Sequence, residues 1–245
     1  MNQREVSKNI FITGTSTDVG KTRIAVALIT AFKAKGLNVG VMKPVETGVS
    51  STEAEPRQAK DAVGVNSTRG IYSSDACRLA TAAGMTDKSK MALINPYRFS
   101  SPIAPLLAAK AEGKTIDLAK IEDCYREISN DNDITIVEGA GGLLVPITED
   151  KTMVDMITDL DVPLLIVAEN KLGTINHTLL TVRHAEDKGI KVLGVILNSC
   201  TATKDKSTPL NRAVLQTYGI HIIEEVAFSE GDLSLRSSTI DYLLD

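Results

Sequence analysis

Six apolar runs mark this chain, at 10–13, 39–42, 134–137, 163–168, 192–197 and, more weakly, 220–226. They are mostly continuous rather than alternating, which is the pattern of parallel strands covered on both faces. Apolar residues recur at helical spacing over 22–35, 75–83, 102–112, 118–128, 176–188 and 210–218. Gly36 and Gly189 follow basic last turns, where a helix is expected to stop. Strands alternating with helices predict an α/β fold: a doubly wound, mainly parallel sheet with helices on both faces. Such sheets bind ligands beyond the carboxyl ends of their strands. The residues just after each strand are therefore where chemistry is expected.

After the first run stands Gly14-Thr15-Ser16-Thr17-Asp18-Val19-Gly20-Lys21-Thr22, and a helical pattern follows. Strand, small-residue turn, Gly-Lys-Thr and helix is the order of a P-loop. Its turn aims backbone N–H groups inward, and the helix adds its positive end, so a triphosphate fits. Lys21 can reach the β/γ oxygens, and the Thr22 hydroxyl can ligate Mg²⁺. The template glycine six places before the lysine falls on Thr15; here the glycine lies one place earlier.

Lys43 follows the second run, and Pro44 biases it toward an extended backbone at the binding edge. The third run ends in Glu138, at the position where P-loop proteins hold Mg²⁺ with a carboxylate, and Gly139, Gly141 and Gly142 follow. These glycines permit close backbone approach to a ligand. The stretch 50–74 is polar and reads as a long excursion. It leads to Asp75, for which capping a helix and ligating a metal are both open. Asn170-Lys171-Leu172-Gly173 nearly spells the guanine-reading Asn-Lys-x-Asp, but Gly173 replaces the aspartate, so ATP is expected rather than GTP. Thr174 and Asn176 lie where the next helix begins, whose free N–H groups suit an anion. His177, His184 and His221 form no catalytic or metal-binding spacing and read as ordinary structural or surface residues.

Composition narrows the setting. The 245 residues suit one domain over 1–245, large enough to bury roughly 70–75% of its extended-chain surface without staples. A net charge of −4 and the lack of any basic block argue against nucleic-acid or membrane partners. Three widely spaced cysteines form no zinc or CxxC pattern and fit a reducing cytosol. No apolar signal core precedes the first strand, and the longest apolar run, 162–168, is too short to span a bilayer. A cytoplasmic protein is expected.

Taken in order, the motifs resemble the dethiobiotin synthetases, ATP-dependent carboxylases of biotin synthesis. The resemblance runs from about residue 9 to 226 and rests on several pieces. These are Gly-Thr-x-Thr-Asp-Val-Gly-Lys-Thr at 14–22, Lys-Pro-Val-x-Thr-Gly at 43–48 and Asn-Pro-Tyr-x-Phe at 95–99. Pro-x-x-Pro at 102–105, Glu-Gly at 112–113, Val-Glu-Gly-Ala-Gly-Gly at 137–142 and Lys-Leu-Gly-x-Ile-Asn-His at 171–177 complete the set. The resemblance implies a P-loop homodimer that takes 7,8-diaminononanoate, CO₂ and MgATP, with substrate near the subunit interface. It implies Lys43 and Lys21 as catalytic, and Thr22, Asp75 and Glu138 as the Mg²⁺ set. Nucleotide contacts would come from Asp18, Val19, Gly20, Lys21, Thr22, Arg23, Glu138, Gly139, Ala140 and Gly141. Asn198 resembles the adenine reader, with Ala227 and Phe228 near the base. Thr47, Gly173, Thr174 and Asn176 resemble substrate contacts.

Three departures stand out. The segment between Lys43 and Asp75 is longer than usual, which leaves Asp61 as a rival metal ligand. Ala227 stands where the family often has proline, and Thr47 where some members have serine. Two rivals remain: a ParA/MinD-type ATPase switch, whose signature P-loop lysine is Ser16 here, and another P-loop amidoligase or small-molecule kinase.

Overall fold

The computed structural model describes residues 8–49, 74–203 and 205–245. Asp61, and the polar excursion up to residue 73, lie outside them. The six apolar runs become β1 (Ile10–Gly14), β2 (Val39–Met42), β5 (Ile134–Glu138), β6 (Leu164–Glu169), β7 (Val192–Asn198) and β8 (Ile222–Val226). They form one parallel sheet in the order β2-β5-β1-β6-β7-β8. The chain works outward from β1 to one edge, returns through β5, then steps to the other edge. That reversal puts the switch point of a doubly wound sheet around β1. Every residue of β1, β2 and β5 is buried, as continuous apolar runs require when both faces are covered. Phe11 and Ile12 are fully enclosed. Truncating a side chain such as Ile12 to alanine typically removes about 2–5 kcal/mol.

The predicted helices form as α1 (Lys21–Ala34), α2 (Asp75–Ala83), α4 (Pro105–Ala111), α5 (Leu118–Asn130), α7 (Thr174–Asp187) and α8 (Thr208–Thr217). The segment expected to be helical from 102 starts only at Pro105. Ala104, held extended at φ −53° and ψ 142° before a proline, sets that start.

Among the described residues, two strands, three α-helices and a 3₁₀ turn at Lys88–Lys90 escaped the pattern. The three-residue strands β3 (Val45–Thr47) and β4 (Tyr97–Phe99) pair parallel in a small separate sheet, with Val45 opposite Tyr97 and Thr47 opposite Phe99. Strands so short carry no readable periodicity. The same holds for α3 (Met91–Ile94). Helix α6 (Met153–Leu160) had a legible start: Thr152 and Asp155 form a capping box, in which Thr152 N donates to Asp155 Oδ2 at 2.8 Å. Its apolar face runs almost directly into β6, which hid it. Helix α9 (Ser237–Leu244) buries only Thr239, Ile240 and Leu243. Among the described residues, no helix is long and apolar enough to cross a membrane. Among the described residues, Cys77, Cys124 and Cys200 form no disulfide.

Candidate active site

The P-loop leaves β1 at Gly14 and is sewn to both neighbouring strand ends. Gly14 N donates to Gly141 O at 3.2 Å, and Thr15 N to Val167 O at 3.0 Å. A Cβ on Gly14 would lie 2.6 Å from Ser16 O and 2.8 Å from Val19 Cγ2, so the turn requires its glycine here, one place before the template position. Asp18 at φ 58° and Gly20 at φ 93° are left-handed, which curls the amides into an anion nest. Lys21 opens α1, is buried and donates to Ser16 O at 3.1 Å. Burial, then the nearby charge of Lys43, holds its pKa below the ordinary lysine value.

Three adjacent strands bring the charged groups together. In the register Met42 lies opposite Val137, so Lys43 and Glu138 emerge side by side next to β1. Lys43 Nζ meets Glu138 Oε1 at 2.6 Å, Asp75 Oδ2 at 3.3 Å and the carbonyl of Gly139 at 3.3 Å. Thr22 Oγ1 donates to the same Glu138 oxygen at 2.9 Å. The lysine that could have been an ordinary solvated side chain is only 3% exposed, and Glu138 is fully buried. Burial pulls the Lys43 pKa down, but Glu138, Asp75 and Glu46 outweigh it and hold the ammonium charged well above its usual range. Burial pushes the Asp75 carboxyl up; Lys43 and a hydrogen bond from Thr22 reverse this and leave it below the usual range. Asp75 thus joins this charged cluster, besides opening α2.

Two residues of this cluster were missed in the sequence. Asn95 Nδ2 donates to the Lys43 carbonyl at 2.6 Å, and Lys43 N donates to Ile94 O at 2.7 Å, so the 94–95 turn fixes the lysine's backbone. Asn95 was visible only as part of a motif. Glu46, on β3, accepts from Asp75 N at 2.5 Å and Ala76 N at 3.3 Å. With Ser74 Oγ accepting from Cys77 N, it satisfies the free amides at the start of α2 and holds Asp75 in place. Burial raises its carboxyl, Lys43 opposes this and Asp75 adds to it, giving a pKa of about 7. Nothing in the spacing of Glu46 announced this contact with a helix about thirty residues later.

The Mg²⁺ that a P-loop implies can be tested against this donor set. Thr22, Asp75 and Glu138 offer only oxygens, and Glu138 Oε2 is buried without a hydrogen-bond partner among the described residues. Among the described residues, no three acidic, histidine or cysteine side chains gather to hold a metal by themselves. One or two carboxylates, a hydroxyl and ligand phosphates are what Mg²⁺ commonly takes, so the residues fit it.

Across β1 the site changes character. Gly173 at φ 93° is the N-cap of α7, whose first residue Thr174 is buried while Asn176 is exposed. Asn170 is structural: Asn211 Nδ2 donates to its Oδ1 at 2.8 Å, and its own Nδ2 reaches Glu225 Oε1 at 3.3 Å. Asp205 accepts from Leu172 N at 2.8 Å, Ser207 N at 2.7 Å and Thr208 N at 3.1 Å, which ties this turn to α8. Asn198, buried at the end of β7, donates from Nδ2 to Val19 O at 2.9 Å. Ala227 and the half-buried Phe228 follow β8, and Arg23 reaches their loop. Gly139 packs under Phe11, where a Cβ would come within 2.8 Å of the ring. Ala140 and Gly141 lie half-buried beside the P-loop, and Thr47 is half-buried on β3. His177 is exposed on α7, His184 Nε2 is buried without a partner, and His221 Nδ1 lies 3.3 Å from the Tyr242 hydroxyl. None of the three reaches the charged cluster through a hydrogen bond or ion pair among the described residues.

Residues 8–228 match a family described as an AAA domain. The chain is 40% identical over 206 residues to an ATP-dependent dethiobiotin synthetase BioD from Anaeromyxobacter dehalogenans, covering 84% of this chain and 83% of that protein. It is 36% identical over 225 residues to the same-named protein of Bacillus cereus, covering 91% and 85%. Among solved structures it resembles a ParA family ATPase from Chlorobium tepidum, with a TM-score of 0.53, 16% identity, and 97% and 89% of the two chains covered. MinD from Pyrococcus horikoshii, solved with Mg-ADP, gives 0.53 at 15% identity, covering 95% and 85%. At those identities the structural likeness speaks to the P-loop fold alone. The extent of the sequence matches, together with a P-loop joined to Lys43 and Glu138, leads to one conclusion: the chain belongs to the ATP-dependent dethiobiotin synthetase family, within the P-loop proteins.

Proposed function

We propose that the protein closes the cyclic urea of dethiobiotin from 7,8-diaminononanoate, CO₂ and ATP, releasing ADP and phosphate. One amine adds to CO₂ and loses a proton, giving a carbamate. Oxide is a poor leaving group, so the carbamate oxygen takes the γ-phosphoryl group of ATP and ADP departs. The second amine then attacks the carbonyl of this carbamic–phosphoric mixed anhydride, phosphate leaves with the C–O bond electrons, and the ring closes with loss of a proton. No side-chain nucleophile is needed.

The observation that supports this reading is the burial of Lys43 against Glu138, beside Lys21 and Thr22 of the P-loop. Anion must approach anion in this reaction, and in a low-dielectric site that repulsion is worth several kcal/mol. Lys21 and Lys43 are fixed cations at one sheet edge and offset it without reorganisation. Thr22, Asp75 and Glu138 would hold Mg²⁺, which when bound neutralises phosphate charge. Thr47 and the 173–176 turn would position the diamine. Leu172 is 79% exposed and Leu180 63% exposed near that turn, which supports a homodimer with substrate close to the interface. A cytoplasmic setting accords with cysteines that form no disulfide among the described residues.

The test uses purified protein with MgATP, bicarbonate and the diamine, following ADP and product mass together. Equal amounts of ADP and cyclic urea are expected. ADP release that ignores the diamine but responds to DNA or lipid would overturn the proposal in favour of a switch.

A further inference from the structure

The reacting end of a bound triphosphate has one place to be: the β2–β5 side of β1, where Lys21, Lys43, Thr22 and Glu138 meet. The rest of the nucleotide must then lead the other way, over the start of α1 toward β7 and β8. On that side three links join the P-loop and the first turn of α1 to the end of β7 and the segments after β7 and β8. Asn198 Nδ2 donates to Val19 O, and Cys200 Sγ lies 3.5 Å from Asp18 O. Arg23 makes the third and broadest link. Its Nη2 donates to Ser229 O at 2.9 Å, Ser229 Oγ at 3.2 Å and Gly231 O at 3.0 Å.

Arg23 therefore does not turn toward the P-loop nest, although it follows Lys21 and Thr22 directly. Its Nη2 is committed to the segment between β8 and α9. The far end of that segment is fixed separately: Glu224 accepts from Arg236 N at 3.2 and 3.3 Å, and Arg236 Nη2 donates to Ile223 O at 3.0 Å. Residues 227–236 carry no helix or strand of their own, so these two arginines set the segment's path. A planar guanidinium with its donors held in a rigid fork suits the binding of several oxygens at once.

We propose that Arg23 is a positioning residue for the nucleotide. It clamps 227–231 against α1 so that Ala227 and Phe228 wall the base and ribose, and it does not itself bind phosphate. The inference rests on reading this as an ATP site, and it assigns a distinct job to a residue that the resemblance counts among the nucleotide contacts.

The experiment compares binding of MgATP and of Mg-tripolyphosphate, which lacks base and ribose, to wild type, Arg23→Ala and Arg23→Lys by calorimetry. Arg23→Ala is expected to weaken ATP about tenfold, the effect of losing about one charge-assisted hydrogen bond, and to leave tripolyphosphate within about twofold. Arg23→Lys keeps a cationic donor for the same oxygens and recovers part of the ATP affinity. Equal losses for both ligands would make Arg23 a phosphate contact and overturn the clamp. Unchanged ATP affinity in Arg23→Ala overturns it too. In both cases wild-type binding keeps the ATP site itself standing, whereas wild type that binds neither ligand overturns the ATP reading and the clamp together.

Discussion

The two halves of the binding edge are built in opposite ways. On the β2–β5 side, ionised groups are buried and touch directly: Lys43 lies 2.6 Å from Glu138, with exposures of 4% and 0% for the two side chains. On the β6–β8 side, the half-buried Arg23 and the exposed Asp205 bond to amides, hydroxyls and backbone carbonyls, Asn198 and Asn211 donate to carbonyl oxygens, and Asn176 and Ala227 stand exposed. Bringing like charges together needs fixed counter-charges in a dry place, where each is strong and none must reorganise. Recognising a base or a small substrate needs shape and hydrogen-bond direction, which loops on a rigid sheet supply. A buried ion pair adds little net stability, but losing one partner leaves an uncompensated charge. The first half should therefore be intolerant of change and the second forgiving.

The most damaging substitution should be Lys43→Ala, lowering turnover by about 10²–10³-fold while ATP affinity changes by only a few-fold. Steady-state rates and calorimetry on the same preparation check this; turnover near wild type would remove the contrast between the halves. Glu46→Ala comes next. Stripping the acceptor from the first amides of α2 should lower unfolding free energy by about 1–2 kcal/mol, the usual worth of a cap, as read from urea denaturation. An unchanged midpoint would mean that Ser74 alone holds Asp75 in place. Asn95→Ala deletes the bond to the Lys43 carbonyl and should lose about 1 kcal/mol, with turnover falling more than ATP affinity. If ATP affinity fell equally, Asn95 would be supporting the whole edge rather than Lys43.

The smallest effect belongs to the other half. The Ser207 hydroxyl, then the amides of Leu172, Ser207 and Thr208, hold the Asp205 carboxyl down at about 2 from an ordinary 3.8. A depressed carboxyl contributes stability above its unfolded value and loses it as pH falls through the folded one. Wild type should therefore shed a small part of its stability between pH 4 and 2, and Asp205→Asn should show a shallower acid slope. Superimposable slopes would mean that Asp205 does not anchor the 171–174 turn.

Much of the fold could be read because burial on both faces leaves a simple trace. The sheet strands emerge within two residues of their apolar runs, since parallel strands have no polar face to interrupt them. The P-loop could be read because its chemistry is local: turn, lysine, hydroxyl and helix lie within nine residues. Lys43 and Glu138 could be suspected from their places at strand ends, but the sequence could not show that Asp75, at the start of α2, lies against Lys43 and Thr22. The little sheet of β3 and β4 gave no warning, because three residues a side fall below any period.

By itself, then, the sequence determined the order of strands and helices, the phosphate nest and the residues offered at each strand's end. All of these depend on neighbours in the chain, through backbone geometry, continuous apolar runs and the helical spacing of apolar side chains. Only the tertiary structure decided who meets whom. It placed β5 between β2 and β1, and so brought Glu138 to both Lys43 and Thr22. It turned Glu46 onto the amides of α2, and sent Arg23 across to Ser229 and Gly231. Such contacts join positions about 30 to more than 200 apart, and they follow from how the sheet is ordered and packed, which no local pattern encodes.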